Sequence, residues 1–212
     1  MAEESSPGAV KRFWQFLRRP SVKYSLLSLV GVGFVAGIVF WGGFHTALEA
    51  TNTLEFCTSC HEMKDNVFVE YKETIHYKNR TGVRAICSDC HVPHEWGPKM
   101  IRKAKASFEV WGKLMGDIDT KEKFEAKRME LATHEWTRMT ASGSQECRNC
   151  HNFDAMSGEK QKQSIYKKHM GAQAAGKTCI ECHKGIAHHL PKEYRDPSEE
   201  EGQAASPSAP KG

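Results

Sequence analysis

Eight cysteines stand in four pairs of one spacing, Cys57/Cys60, Cys87/Cys90, Cys147/Cys150 and Cys179/Cys182, and each pair is closed by a histidine, His61, His91, His151 or His183. Two thiols at this spacing followed at once by an imidazole are what a c-type haem needs for two thioether attachments and a proximal iron ligand. A disulfide framework or a set of zinc sites would use the thiols but gives no reason for a histidine after every second cysteine. Four covalently bound haem c groups are therefore expected, with His91, His151 and His183 as proximal ligands of the second to fourth. The first motif differs, because Cys57-Thr-Ser-Cys60-His61-Glu62-Met63 carries a methionine two residues past its histidine. Adjacency favours His61 there. A thioether from Met63 would raise the haem potential and would reach the iron only through a tight local turn.

Seven of the 11 histidines lie outside the motifs: His45, His76, His94, His134, His169, His188 and His189. Second axial ligands are drawn from these, from Met or from Lys. His76 lies 15 residues before His91 and His169 lies 14 before His183. That match nominates His76 and His169, and His188, just past the fourth motif, is the third choice with His189 as its competitor.

These residues need elements to hold them. Residues 1–23 read as a polar, basic tail. No charge then appears over the 25 residues Tyr24 to Leu48, a length that spans a hydrocarbon layer of about 30 Å as a helix. A cleaved signal would have a shorter apolar run ending in small residues, whereas this one exits through Trp41, Phe44 and His45. An uncleaved anchor over 24–48 is expected. Lys11, Arg12, Arg18, Arg19 and Lys23 against Glu3 and Glu4 put three of the four net positive charges before it. The excess of basic residues places the N-terminus in the cytoplasm and the rest in the periplasm, anchored to the inner membrane of a bacterium. With the charge so placed, no nucleic-acid partner is expected.

The remaining chain, 49–195, reads as one mainly α, haem-packed cytochrome domain built from two di-haem repeats. Cys57 to Cys87 is 30 residues, Cys147 to Cys179 is 32, and 60 separate Cys87 from Cys147. The repeats cover about 49–95 and 141–190, joined by helices within 98–140. Pro98 to Gly116 carries Ile101, Ala104, Phe108, Trp111 and Met115 at helical spacing beside Lys99, Arg102, Lys103 and Lys105. Either that apolar stripe packs into the core beneath a solvated basic face, or the basic face meets anionic headgroups. Thr120 to Met139 is the second helix, with Phe124, Leu131, Ala132, Trp136 and Met139 on its apolar face and Asp119 with Glu122 offering a capping box. Residues 196–212, rich in Pro, Ser, Glu and Ala, read as a disordered tail.

From about Lys11 to Lys192 the chain resembles the NapC/NirT family of membrane-anchored tetrahaem cytochromes c. The resemblance rests on Phe40-Trp41-Gly42-Gly43-Phe44, Glu55-Phe56-Cys57, His91-Val92-Pro93-His94-Glu95, Pro98 to Lys103, Glu146 to Phe153 and Gly185-Ile186-Ala187-His188. It implies oxidation of membrane quinol at the first haem and electron transfer to a periplasmic reductase, with nitrate reductase favoured. It also implies that Met63 rather than His61 is the proximal ligand of the first haem, with the distal side open toward the quinol; the residues leave open whether that side stays free or gains a histidine such as His94. A Lys and an Asp six or seven residues apart flank the quinol in such proteins. Lys113 and Asp119 match that spacing as catalytic residues, with Lys103 as the competing lysine. The rival readings are a passive membrane-tethered electron carrier, a donor to a nitrite or trimethylamine-oxide reductase, and a terminal reductase, for which the sequence offers no clear open site.

Overall fold

A computed structural model of the chain describes residues 8–17 and 20–195. Arg18, Arg19 and the tail expected over 196–212 lie outside the described residues. The described residues form helices and turns without a β-strand. Helix α1 is Ala9–Leu17, so the polar tail contains a helical segment, and α2 is Leu26–Ala50, shifted by two residues from the span expected. At 25 residues, α2 is about 37 Å long, and it is long and apolar enough to cross a membrane. The chain up to Ala50 is one compact unit and the chain from Thr51 onward is another.

In the second unit the cysteine motifs sit on short helical segments. Helix α3 (Leu54–Cys57) is capped by Thr53, whose Oγ1 accepts the Phe56 N–H at 3.2 Å. A single π-helical turn, Met63–Val67, follows and runs into α4 (Phe68–Tyr71). Helix α5 is Cys87–His91, the second motif itself. Two long helices come next, α6 (Trp96–Met115) and α7 (Lys121–Ala141). Pro98 is tolerated in the first turn of α6, where backbone N–H groups have no intrahelical acceptor. Gly116 ends that helix at φ +75°, a left-handed conformation that glycine adopts without penalty. Thr120, not Asp119, caps α7, its Oγ1 accepting the Lys123 N–H at 3.3 Å. Thr120 immediately precedes the first helical residue, and Asp119 turns instead to Lys123 Nζ at 2.7 Å. The third motif begins on α8 (Gln145–Arg148), α9 is Gln163–Ala174, and α10 (Cys179–Cys182) carries the fourth pair.

The two di-haem stretches do not separate into compact units of their own. Among the described residues only four apolar side chains are buried, Tyr71, Phe124, Ile180 and Pro191, against six polar or charged ones. Hydrophobic burial within the polypeptide therefore does little to order this unit, in line with a domain expected to wrap porphyrin. The apolar stripe of α6 does not supply a core: Ile101, Phe108, Trp111 and Met115 are 59–77% exposed. The basic side of α6 faces the protein instead. Arg102 Nε donates to the His91 carbonyl at 3.2 Å, Lys103 Nζ to Thr51 Oγ1 at 2.6 Å and Lys113 Nζ to Glu62 Oε2 at 3.0 Å. Both orientations expected for this helix are thus overturned, because these polar partners hold the cationic side inward.

A buried ion-pair cluster joins α4, α7 and the chain after the fourth motif. The guanidinium of Arg128 grips both oxygens of Glu70, at 3.0 and 2.5 Å, and bonds Glu125 Oε1 at 2.7 Å. Glu70 Oε2 also accepts the His189 N–H at 2.9 Å. Burial by itself would raise the Glu70 pKa, but the hydrogen bonds from Arg128 and His189 outweigh it and hold the carboxyl below its ordinary value. Replacing Arg128 by Met should lower stability at neutral pH by about 3 kcal/mol, since Glu70 is left buried without a cation. Thermal unfolding of the holoprotein measures this. A depressed carboxylate pKa gives stability that is present above the unfolded value, about 4.3 for Glu, and is lost as pH falls below it. The gap between Arg128→Met and the parent should accordingly narrow in acid.

Candidate haem-binding site

The four motifs touch in chain order. Helix α3 lies against α5, and α5 against α8. The Cys57 thiol is brought down to about 7, chiefly by a hydrogen bond with Cys87. The Cys90 thiol is pushed up by burial and then by Asp89 and Cys150, and Cys147 rises to about 11 through burial and the neighbouring Cys179. First cysteine thus meets first cysteine within each half, and the second and third motifs meet across the halves. Ser144, fully buried at φ +55°, turns the chain from α7 into α8, and its Oγ accepts the Ile180 N–H at 3.1 Å, joining the third motif to the fourth. None of the eight cysteines forms a disulfide.

Three pairs of imidazoles face one another. Ring centres of His76 and His151 are 6.2 Å apart, those of His91 and His188 also 6.2 Å, and those of His169 and His183 6.0 Å. Two imidazoles that bind one metal from opposite sides, through bonds of about 2 Å, have ring centres about 6 Å apart. Each pair offers two ligands only, and no group of three or more His, Cys, Asp or Glu side chains able to hold a bare metal ion forms among the described residues. A metal between such rings must bring its other donors with it, as haem iron does. The Nδ1 atoms of His76 and His188 are buried without hydrogen-bond partners, an arrangement that costs free energy unless the ring is held another way. Burial, and secondarily His91, brings the His188 pKa down to about 4; burial and then His151 lower that of His76. Both rings are thereby kept neutral, the form that binds metal. These residues fit haem.

The environments of two further rings point the same way. His91 Nδ1 lies 3.3 Å from Glu135 Oε2, and His169 Nδ1 lies 2.8 Å from Gln161 Oε1. Such partners fix a ring's tautomer and orientation and leave Nε2 for a metal. Glu135 is pulled down to about 2 against its burial by His91 and Arg138. His188 and His189, inseparable by sequence, part company here: His188 faces His91, whereas His189 is exposed and lies 3.6 Å from Glu70. The pairing also crosses the repeats. His169 faces a ring of its own half, but His76 faces His151 in the other half and His188 reaches back to His91.

The first motif is different in kind. His61 is exposed, lies 3.3 Å from Glu62 Oε1 and joins none of the three ring pairs. Met63 is half-buried and opens the π-helical turn, a widened turn of the sort that re-aims a side chain. Of the expected quinol residues, Lys113 bonds Glu62, and its cation is further favoured by Cys60. Asp119, held low first by Lys123, also feels His61. The two lie beside the same motif without bonding each other. Lys103, the competitor, is bonded to Thr51, and His94 is exposed. Sequence reasoning missed Glu62, which is only 3% exposed, and Glu135 and Gln161 as partners of histidines. No spacing signal separated those carboxyl and amide groups from ordinary helical surface.

Cysteine motifs in contact, with facing imidazoles between them, fit a cytochrome of the c type. The family model for the NapC/NirT cytochrome c family, N-terminal region, matches residues 19–193. The chain belongs to that family. It is 64% identical over 184 residues to the denitrification system component NirT of Stutzerimonas stutzeri, covering 87% of this chain and 92% of that one. It is 57% identical over 188 residues to the cytochrome c-type protein NapC of Escherichia coli K12, 89% and 94% of the two chains. The cytochrome c-type protein TorC of the same strain is 45% identical over 183 residues, which cover 86% of this chain and 47% of TorC. No solved structure matches it.

If His188 is a ligand and His189 is not, His188→Ala should turn one low-spin iron high-spin, with four haems still attached. His189→Ala should leave the spin state unchanged. Electron paramagnetic resonance and the visible bands of the two purified variants check this.

Proposed function

We propose that the protein is a quinol dehydrogenase of the bacterial inner membrane, held by α2 with its N-terminus in the cytoplasm and its haem domain in the periplasm, which passes electrons to a periplasmic reductase. The observation that carries the reading is the polar cluster at the first motif, where Lys113, Glu62, His61 and Asp119 gather beside the one motif that has no facing imidazole. Haem c, attached through the eight cysteines, supplies one-electron acceptors when bound. His76 with His151, His91 with His188, and His169 with His183 would hold three of the four groups, and Met63 would ligate the first.

Quinol gives up two electrons and two protons on becoming quinone, so groups beside the first motif must orient its hydroxyls and accept protons. Lys113, fixed by Glu62 at 3.0 Å, can donate a hydrogen bond to a quinol oxygen. Asp119, ionised and 43% exposed, can accept a quinol proton and release it to water. The contacts between successive motifs offer a path for electrons from the first motif to the fourth. We propose nitrate reductase as the electron acceptor, on the family resemblance. Similarity to a component named for denitrification supports, as the second reading, a nitrite reductase; a trimethylamine-oxide reductase is the further alternative.

The test mixes the purified holoprotein with a reduced quinol analogue and follows the haem absorption bands, with dithionite as the control. Prompt reduction is expected. Asp119→Asn and Lys113→Gln should each slow it by about a hundredfold, with haem content and dithionite reduction unchanged. A chain that dithionite reduces and quinol does not would be a passive carrier, and the proposal would fall.

A further inference from the structure

Helix α6 is amphipathic in the reverse sense for a soluble domain. Gly97, Ile101, Ala104, Phe108, Trp111 and Met115 follow one another at steps of four and three residues, so they share one face. All of them are exposed. Lys99, Arg102, Lys103 and Lys113, on the other side, are half-buried. That inward side makes the contacts with the motifs, Arg102 to the His91 carbonyl and Lys113 to Glu62. The apolar face consequently points away from the first and second motifs. Its position along the chain is fixed as well, because Lys103 Nζ donates at 2.6 Å to Thr51 Oγ1. Thr51 is the first residue beyond Ala50, where the helix able to cross a membrane ends.

We propose that the outward face of α6 lies in the lipid interface, with Ile101, Phe108, Trp111 and Met115 sunk below the headgroups. A helix with such a face buries it to a depth of about 5–10 Å in the boundary between headgroups and acyl chains. Tryptophan is suited to that level, and Lys105 at the edge of the face can extend its ammonium to the phosphates while its stem stays apolar. The helix then acts as a second attachment, parallel to the membrane plane, and its buried side presents Lys113 to the first motif. This inference concerns the membrane surface and stands whether or not quinol is the substrate.

The experiment uses the full-length holoprotein in vesicles of phosphatidylcholine and phosphatidylglycerol. Phe108→Cys and Trp111→Cys carry a nitroxide, with Glu130→Cys on the exposed side of α7 as the reference, and four bound haems confirm that each variant has folded. Collision with oxygen, which concentrates in hydrocarbon, is compared with collision with a water-soluble nickel chelate. The oxygen-to-nickel ratio should be severalfold higher at 108 and 111 than at 130. Labels at 108 and 111 as open to nickel as that at 130 would overturn the proposal. So would labels shielded from both reagents, which would mean a protein surface covers the face, and so would failure of the chain to enter vesicles.

Discussion

Three pairs of imidazoles with ring centres 6.0–6.2 Å apart set the constraint to which the rest of the second unit conforms. Two of the pairs join residues far apart in the chain, His76 with His151 and His91 with His188. In a unit with four buried apolar side chains among its described residues, such closures cannot be maintained by hydrophobic burial of the polypeptide alone. They require that something else reward the approach of the rings. Porphyrin supplies apolar surface and a metal at one stroke, so the domain can be short of aliphatic core and still be ordered.

The polar groups that hold the rings follow from the same shortage. Glu135 fixes His91 and is itself bonded by Arg138, which reaches on to Glu146 at 2.5 Å and to the Cys90 carbonyl at 2.9 Å. One arginine thereby ties α7 to the second and third motifs. Arg128 does the corresponding work for the chain beyond the fourth motif, gripping Glu70 while accepting the backbone of His189 into the cluster through Nη1 at 3.2 Å from its carbonyl. Buried charges of this kind add little net stability compared with apolar packing, but removing one partner is costly. They specify position, and one residue away His188 is held facing His91.

Much of this was legible in the sequence. The four motifs, the long apolar helix and the two central helices can each be read from spacing or periodicity, since each is a local pattern. The choice of His76 and His169 rested on a repeat and that of His188 on its place just past the fourth motif, and the structure brings all three against motif histidines. The repeat did not show which ring each would face. Matching positions within halves says nothing about pairing across them, and His76 faces His151 of the other half. Asp119 illustrates the reverse error. Its sequence position suits a helix cap, but Thr120 stands one residue nearer and takes the role, leaving Asp119 to Lys123. Glu62 was invisible because an acidic residue beside a histidine carries no periodic signature; its importance lies in a lysine 51 residues away in the chain.

Helix α6 shows where periodicity reaches its limit. A stripe at steps of three and four residues establishes which side chains share a face, but hydrocarbon, porphyrin and protein core all satisfy that face equally well. What decides among them is where the opposite face finds its partners. In α6 the cations are taken up by Thr51, Glu62 and the His91 carbonyl, acceptors that are all inside the unit, so the apolar side must turn out. A charged face turned inward is costly unless its charges find partners, and here Lys113 pairs with Glu62, Arg102 with Glu109 of its own helix, and Lys103 donates to Thr51. The same contacts that place Lys113 beside the first motif therefore also turn the opposite, apolar side of its helix outward, so the polar cluster and the exposed apolar face are two consequences of one set of hydrogen bonds.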